Sequence, residues 1–144
     1  MVIINGMISN PFQVSRGVRQ GDPLSCLLFN LVIEPLANLL WKSNLTGYQI
    51  PGSNDDLKTT LFANDTTVFL AEDDSYDTLL ATLTLWCRVS GARFNVNKTE
   101  ILPIGTKTYR DHILNTQKMT PNGTPLPNSI HVARNKEPIR TLGG

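Results

Sequence analysis

Leu24, Leu27, Leu28, Leu31, Val32, Pro35, Leu36, Leu39 and Leu40 recur at helical spacing, and no other stretch of the sequence constrains the fold as tightly. A helix with so broad an apolar face has to pack against something. Asp22-Pro23 marks its start, an N-cap residue followed by a proline suited to the first turn. Pro35 lacks the amide hydrogen that would bond back to Leu31, so a kink is expected there. The run from Leu24 to Trp41 is long enough to suggest a membrane span. Asn30, Glu34, Pro35 and Asn38 interrupt it, and their cost in hydrocarbon favours a buried amphipathic helix and no membrane partner.

Shorter elements surround this helix. Val2-Ile3-Ile4 and Met7-Ile8 flank Asn5-Gly6, a pair that tolerates the positive φ angles of a tight hairpin turn. Between Thr59 and Leu70, β-branched and aromatic side chains predict a second hairpin with its polar tip at Asn64-Asp65. Ser75 is placed to cap a helix whose Leu79, Leu80, Leu83, Trp86 and Cys87 lie on one side, and Gly91 to end it in the left-handed conformation. Phe94 and Val96 alternate with polar neighbours as a short strand. From Gly105 to Asn128, Pro, Gly, Asn and Thr prevail around a helical stretch near Tyr109 to Lys118, which predicts a surface insertion. Ile130–Ala133 and Ile139–Leu142 read as a last hairpin.

A chain of 144 residues with 40% apolar residues fits one domain at most, with a modest core. Thirteen Lys and Arg against twelve Asp and Glu leave a net charge of +1, which gives no large positive field to hold a phosphate backbone. Cys26 and Cys87 sit in apolar helical patterns without CxxC or Cys/His spacing, so buried thiols in a reducing compartment are expected. The segment from Met1 to Gly6 has no basic n-region, which makes an intracellular chain, nuclear or cytoplasmic, the expectation.

The residues that could carry chemistry are Asn64 and Asp65, the loop Arg16-Gly17-Val18-Arg19-Gln20-Gly21-Asp22-Pro23-Leu24-Ser25, and Gly91 to Glu100 with Lys98. Each has a bland explanation alone: Asn-Asp suits a turn tip, the arginines a solvated loop, and the lysine an exposed strand end. Their order and spacing together are what point to a function.

That order resembles the reverse transcriptases of non-long-terminal-repeat, LINE-type retrotransposons, and in detail their fungal members, from about Val2 to Leu142. The resemblance implies an α+β fold, an incomplete right-hand polymerase palm with antiparallel strands backed by helices and without fingers and thumb. Residues 1–104 would be partial palm, 105–128 a surface insertion or loop, and 129–144 a truncated hairpin toward the primer grip and thumb, with Leu142-Gly143 resembling the start of the hairpin that grips the primer terminus.

Family chemistry is template-directed addition of deoxynucleotides, with RNA template and DNA primer as partners and Mg2+ ions clamping the attacking 3′ hydroxyl and departing pyrophosphate. Carried over residue by residue, Gln20 and Gly21 would lie beneath template and incoming nucleotide, with Arg16 and Arg19 as phosphate-facing or structural charges of the same loop. Phe62-Ala63-Asn64-Asp65 occupies the place of a Phe-Ala-Asp-Asp box, and Lys98 that of a lysine able to protonate pyrophosphate. Asn64 is the departure, a neutral amide where a carboxylate belongs. The family's other metal-binding aspartate is implied upstream of the region where this sequence starts, which leaves Asp65 as the one expected acidic ligand. An inactive polymerase fragment with weak metal binding is therefore expected. The alternatives are a remnant that binds RNA or DNA or pairs with the rest of a parent polymerase, and a pseudogene product without function.

Overall fold

The computed structural model describes residues 3–13 and 21–139. Over those residues the fold mixes α and β, with three α-helices among short strands that pair two by two. The chain divides into two compact units, residues 1–32 and 33–144.

In the first unit β1 (Ile3–Ile4) and β2 (Met7–Ile8) pair antiparallel, Ile3 opposite Ile8 and Ile4 opposite Met7. Asn5 and Gly6 turn the chain with φ of 51° and 78°, the pair of positive angles an Asn-Gly hairpin needs. Helix α1 (Pro23–Trp41) starts in this unit as its cap residue predicts. The Asp22 carboxylate accepts from the Leu24 amide at 2.9 Å and the Asp22 carbonyl from the Ser25 amide at 3.0 Å. Over this first half of α1 the apolar pattern is not matched by burial: Leu24, Leu27 and Leu31 are exposed. Cys26 is exposed as well, which corrects the expectation of a buried thiol. Periodicity states which side of a helix is apolar, and only neighbouring elements decide whether that side is covered.

The second unit holds the core. Leu36 and Leu40, from the second half of α1, have no exposed surface and pack among Leu45, Leu79 and Trp86. By length and apolarity α1 could cross a membrane; within its second half Leu36 and Leu40 are buried in the core. Helix α2 (Tyr76–Ser90) lies on the same core through Leu79 and Trp86, and the Trp86 ring meets Phe94 at 5.5 Å between centroids. Its ends are those the sequence predicts. Ser75 Oγ accepts from the Asp77 amide at 3.2 Å, and Gly91, at φ 72°, donates its N–H to the Cys87 carbonyl at 3.0 Å.

Two further ladders belong to this unit: β3 (Tyr48–Gln49) with β4 (Asp56–Leu57), and β5 (Thr59–Phe62) with β6 (Asp65–Val68), both antiparallel. A second core cluster joins Ile113, Met119, Leu126 and Val132. Helix α3 (Lys107–Thr116) supplies Ile113, capped by Thr106 Oγ1 accepting from the Tyr109 amide at 3.3 Å. Segment 105–128 is thus held by its own buried side chains, and Leu70 and Tyr76 pack against both clusters.

One expectation needs correction. A 3-10 turn over Val96–Lys98 stands where a strand through Phe94 and Val96 was expected, because Phe94 is drawn onto Trp86 and the 3-10 turn closes by the Lys98 amide donating to Asn95 at 3.0 Å. Strand β8 (His131–Val132) pairs in parallel with β7 (Glu100–Ile101), extended by the Ala133 amide donating to the Ile101 carbonyl at 2.8 Å. Of the second arm of the hairpin expected there, Ile139–Leu142, all but Ile139 lies outside the described residues. Among the described residues the strands form four two-stranded ladders, three antiparallel and one parallel.

Candidate functional site

The β5–β6 hairpin gathers three of the residues singled out by sequence. Its Thr and Val residues favour extended backbone, and its register sets Thr59 opposite Val68, Leu61 opposite Thr66 and Phe62 opposite Asp65. Thr59, Leu61, Thr66 and Val68 share one face, and Leu61 and Val68 pack on the main core through it. Phe62 and Asp65 are therefore cross-strand neighbours on the other face, the ring exposed and the carboxylate residue half-buried.

The turn itself differs from the one expected. Asp65 is the first residue of β6, so the two turn residues are Ala63 and Asn64. Ala63 carries the positive φ, 48°, and Asn64 does not. A two-residue loop with positive φ at its first central position favours glycine there, and an alanine side chain pays about 1 kcal/mol in steric strain. The sequence held a signal for this. Leu61 and Val68 both need the core face, and only an even number of turn residues brings both to it.

At its root the same hairpin is anchored by groups that motif reading missed. Asp74, buried, accepts three backbone N–H groups: Thr46 at 2.7 Å, Gly47 at 2.9 Å and Ala71 at 2.8 Å. Burial alone would raise its pKa, but the three donors outweigh that and hold the carboxyl below the ordinary value. On the opposite side Lys58 Nζ donates to the carbonyls of Trp41 at 3.1 Å and Ser43 at 3.2 Å, a cation at the C-terminal end of α1. Gly47 lies between them at φ 79°, and a Cβ there would stand 2.6 Å from the Leu57 carbonyl oxygen. Asp74 closes the acidic run Glu72-Asp73-Asp74 just before the Ser75 cap, and nothing local tells which of the three turns inward.

The other predicted residues are spread over the chain. Lys98 ends the 3-10 turn with an exposed side chain, and among the described residues no hydrogen bond or ion pair joins it to the hairpin. Gly21 belongs to the first unit, where its φ is 87° and open space surrounds the position of a Cβ. Arg16, Arg19 and Gln20 lie outside the described residues.

A pair of divalent cations needs several charged oxygen ligands. The turn offers the Asp65 carboxylate and the neutral Asn64 amide, and among the described residues no group of three or more His, Cys, Asp or Glu is gathered to hold a metal. This donor set does not fit a two-metal centre.

Comparison with known sequences gives a consistent picture. The reverse transcriptase (RNA-dependent DNA polymerase) family matches residues 1–143. A retrovirus-related Pol polyprotein from the type-1 retrotransposable element R2 of Popillia japonica is 28% identical over 76% of this chain and 18% of its own length. The transposon TX1 149 kDa protein of Xenopus laevis is 36% identical over 74% of this chain and 8% of its own. An R2DM Pol polyprotein of Drosophila melanogaster is 28% identical over 85% of this chain and 11% of its own. The chain thus spans less than a fifth of the length of these relatives. No solved structure matches.

Proposed function

The chain belongs to the reverse transcriptase family, and from that premise we propose that it is a palm-type portion of a LINE-type retroelement polymerase whose turn has lost the capacity for metal-dependent synthesis. The reaction of the intact site would be attack of a primer 3′ hydroxyl on an incoming deoxynucleotide, templated by RNA, with pyrophosphate leaving and Mg2+ ions neutralising the charge that develops. In that scheme Asp65 is the metal ligand of the turn and Phe62 the apolar neighbour that shares its face. Lys98 is the general acid for pyrophosphate, and Arg16, Arg19, Gln20 and Gly21 form the loop under template and nucleotide. An intracellular location, where RNA and primer are found, goes with this reading.

The single observation that carries the loss is Asn64 in the turn beside Asp65. Changing an outer partner of a metal site weakens binding about 10–100-fold, and removing a charged ligand costs at least as much. The β5–β6 hairpin keeps its ladder around Asn64, so the reading is of a chemical loss and not of a collapsed strand pair. Primer extension by the purified 144-residue chain with Mg2+ tests it. No extended product is expected, and magnesium-dependent synthesis would overturn the proposal, as would calorimetric uptake of two Mn2+ ions per chain.

A further inference from the structure

The first half of α1 is apolar on a side that the described residues leave open. Leu24, Leu27, Leu28 and Leu31 are between 42% and 71% exposed and Val32 beside them is exposed as well, whereas Ser25 is buried. On a helix that turns about 100° per residue the four leucines fall within an arc of about 100°, and Ser25 lies outside it. No residue from Pro23 to Ile33 carries a charge, and the Asp22 carboxylate at the head of the helix is spent on the Leu24 amide. The five apolar side chains leave roughly 500 Å2 open on each chain, toward the upper end of the patches that monomers carry. A face of this kind offers a partner shape and apolar area, and no ion pairs.

The order of the leucines says what covers them. Leu24-Ser25-Cys26-Leu27-Leu28-Phe29-Asn30-Leu31 places its leucines symmetrically about the midpoint between Leu27 and Leu28. Two such helices laid antiparallel about a two-fold axis through that midpoint set Leu24 against the partner's Leu31 and Leu27 against the partner's Leu28. Each contact is then made twice, which is the condition of an isologous interface. The steps from Leu24 to Leu28 and on to Leu31 are the alternating four and three of a seam in which side chains of one helix fit between those of the next. Two copies joined in this way hide roughly 1,000 Å2 together, the area at which a specific interface becomes stable.

We propose that two copies of this chain pair through the first halves of their α1 helices, antiparallel and two-fold symmetric, with Leu27 and Leu28 at the axis. The interface lies within the first unit and draws on no residue of the β5–β6 hairpin. It stands whether or not the turn at Asn64 supports synthesis.

Sedimentation equilibrium of the full chain from about 1 to 100 μM tests this, and a monomer–dimer equilibrium with a micromolar Kd is expected. Leu28→Glu should weaken the dimer at least about tenfold, because the axis brings the change into the interface twice. Val89→Glu, on the exposed end of α2, should leave association unchanged. Leu24→Lys and Leu31→Glu should each weaken self-association, and an equimolar mixture of the two should associate more tightly than either alone, since the axis sets the lysine of one chain against the glutamate of the other. A monomer over the whole range would overturn the proposal, as would open-ended aggregation without a discrete dimer or a mixture no tighter than its components. Insertion of a monomeric chain into phosphatidylcholine vesicles, lost in Leu28→Glu, would overturn it too by giving the face to lipid.

Discussion

At its root the β5–β6 hairpin is tied on both sides by ionised groups, Lys58 on two carbonyls of residues 41–43 and Asp74 on three amides, whereas at its tip Ala63 and Asn64 turn the chain under strain. Stability is concentrated at one end of the hairpin and the expected chemistry at the other. The difference explains how a carboxylate can be absent from the tip while the ladder persists. Nothing in the packing of Leu61 and Val68 depends on the charge at position 64.

The largest expected effect lies at the root. Gly47→Ala puts a Cβ against the Leu57 carbonyl in a left-handed backbone, and urea unfolding should show a loss of about 3 kcal/mol. A loss below about 0.5 kcal/mol would mean that the root is not the anchor described here.

Asp74→Asn is the next in size. One amide oxygen replaces two carboxylate oxygens before three N–H donors, for a cost of about 2 kcal/mol near neutral pH. Acid should narrow the difference between wild type and this variant. The folded pKa of Asp74 is lowered, so the native chain binds its proton less readily than the unfolded chain. That contribution is fully present above the ordinary value of 3.8 and fades as pH falls through the lower folded value. Thermal melts between neutral pH and strong acid should show a steeper decline for wild type than for Asp74→Asn, and parallel declines would remove Asp74 from the account.

Changes at the tip should be small and of the opposite sign or none. Ala63→Gly relieves the positive φ and should stabilise the chain by up to about 1 kcal/mol in the same urea experiment. Asn64→Asp should move stability by less than about 0.5 kcal/mol and leave primer extension undetectable, because one restored carboxylate does not complete the ligand set. A large loss of stability in either variant would break the division between root and tip.

Much of this architecture was legible in the sequence where the cause is local. Asn5-Gly6 turns, the Asp22 and Ser75 caps and the Gly91 terminator all depend on the backbone within a few residues, and all are present. What escaped was set at a distance. The parallel partner of His131-Val132 lies at Glu100-Ile101, the exposure of Cys26 depends on what covers α1, and Phe94 leaves the extended state to meet Trp86. For the candidate site, the box from Phe62 to Asp65 was visible as a motif, but assigning the strained angle to Ala63 required the register. Asp74 was invisible because its worth comes from amides at positions 46 and 47.

The parallel ladder of β7 and β8 has a kinetic corollary. It joins positions about thirty residues apart through two residues per strand, so its formation waits on closing a long loop whose entropy the Ile113–Met119–Leu126–Val132 cluster helps to offset. Partial opening should start there, and a protease should nick the exposed stretch from Pro121 to Pro125 before it reaches the hairpin that Asp74 and Lys58 hold.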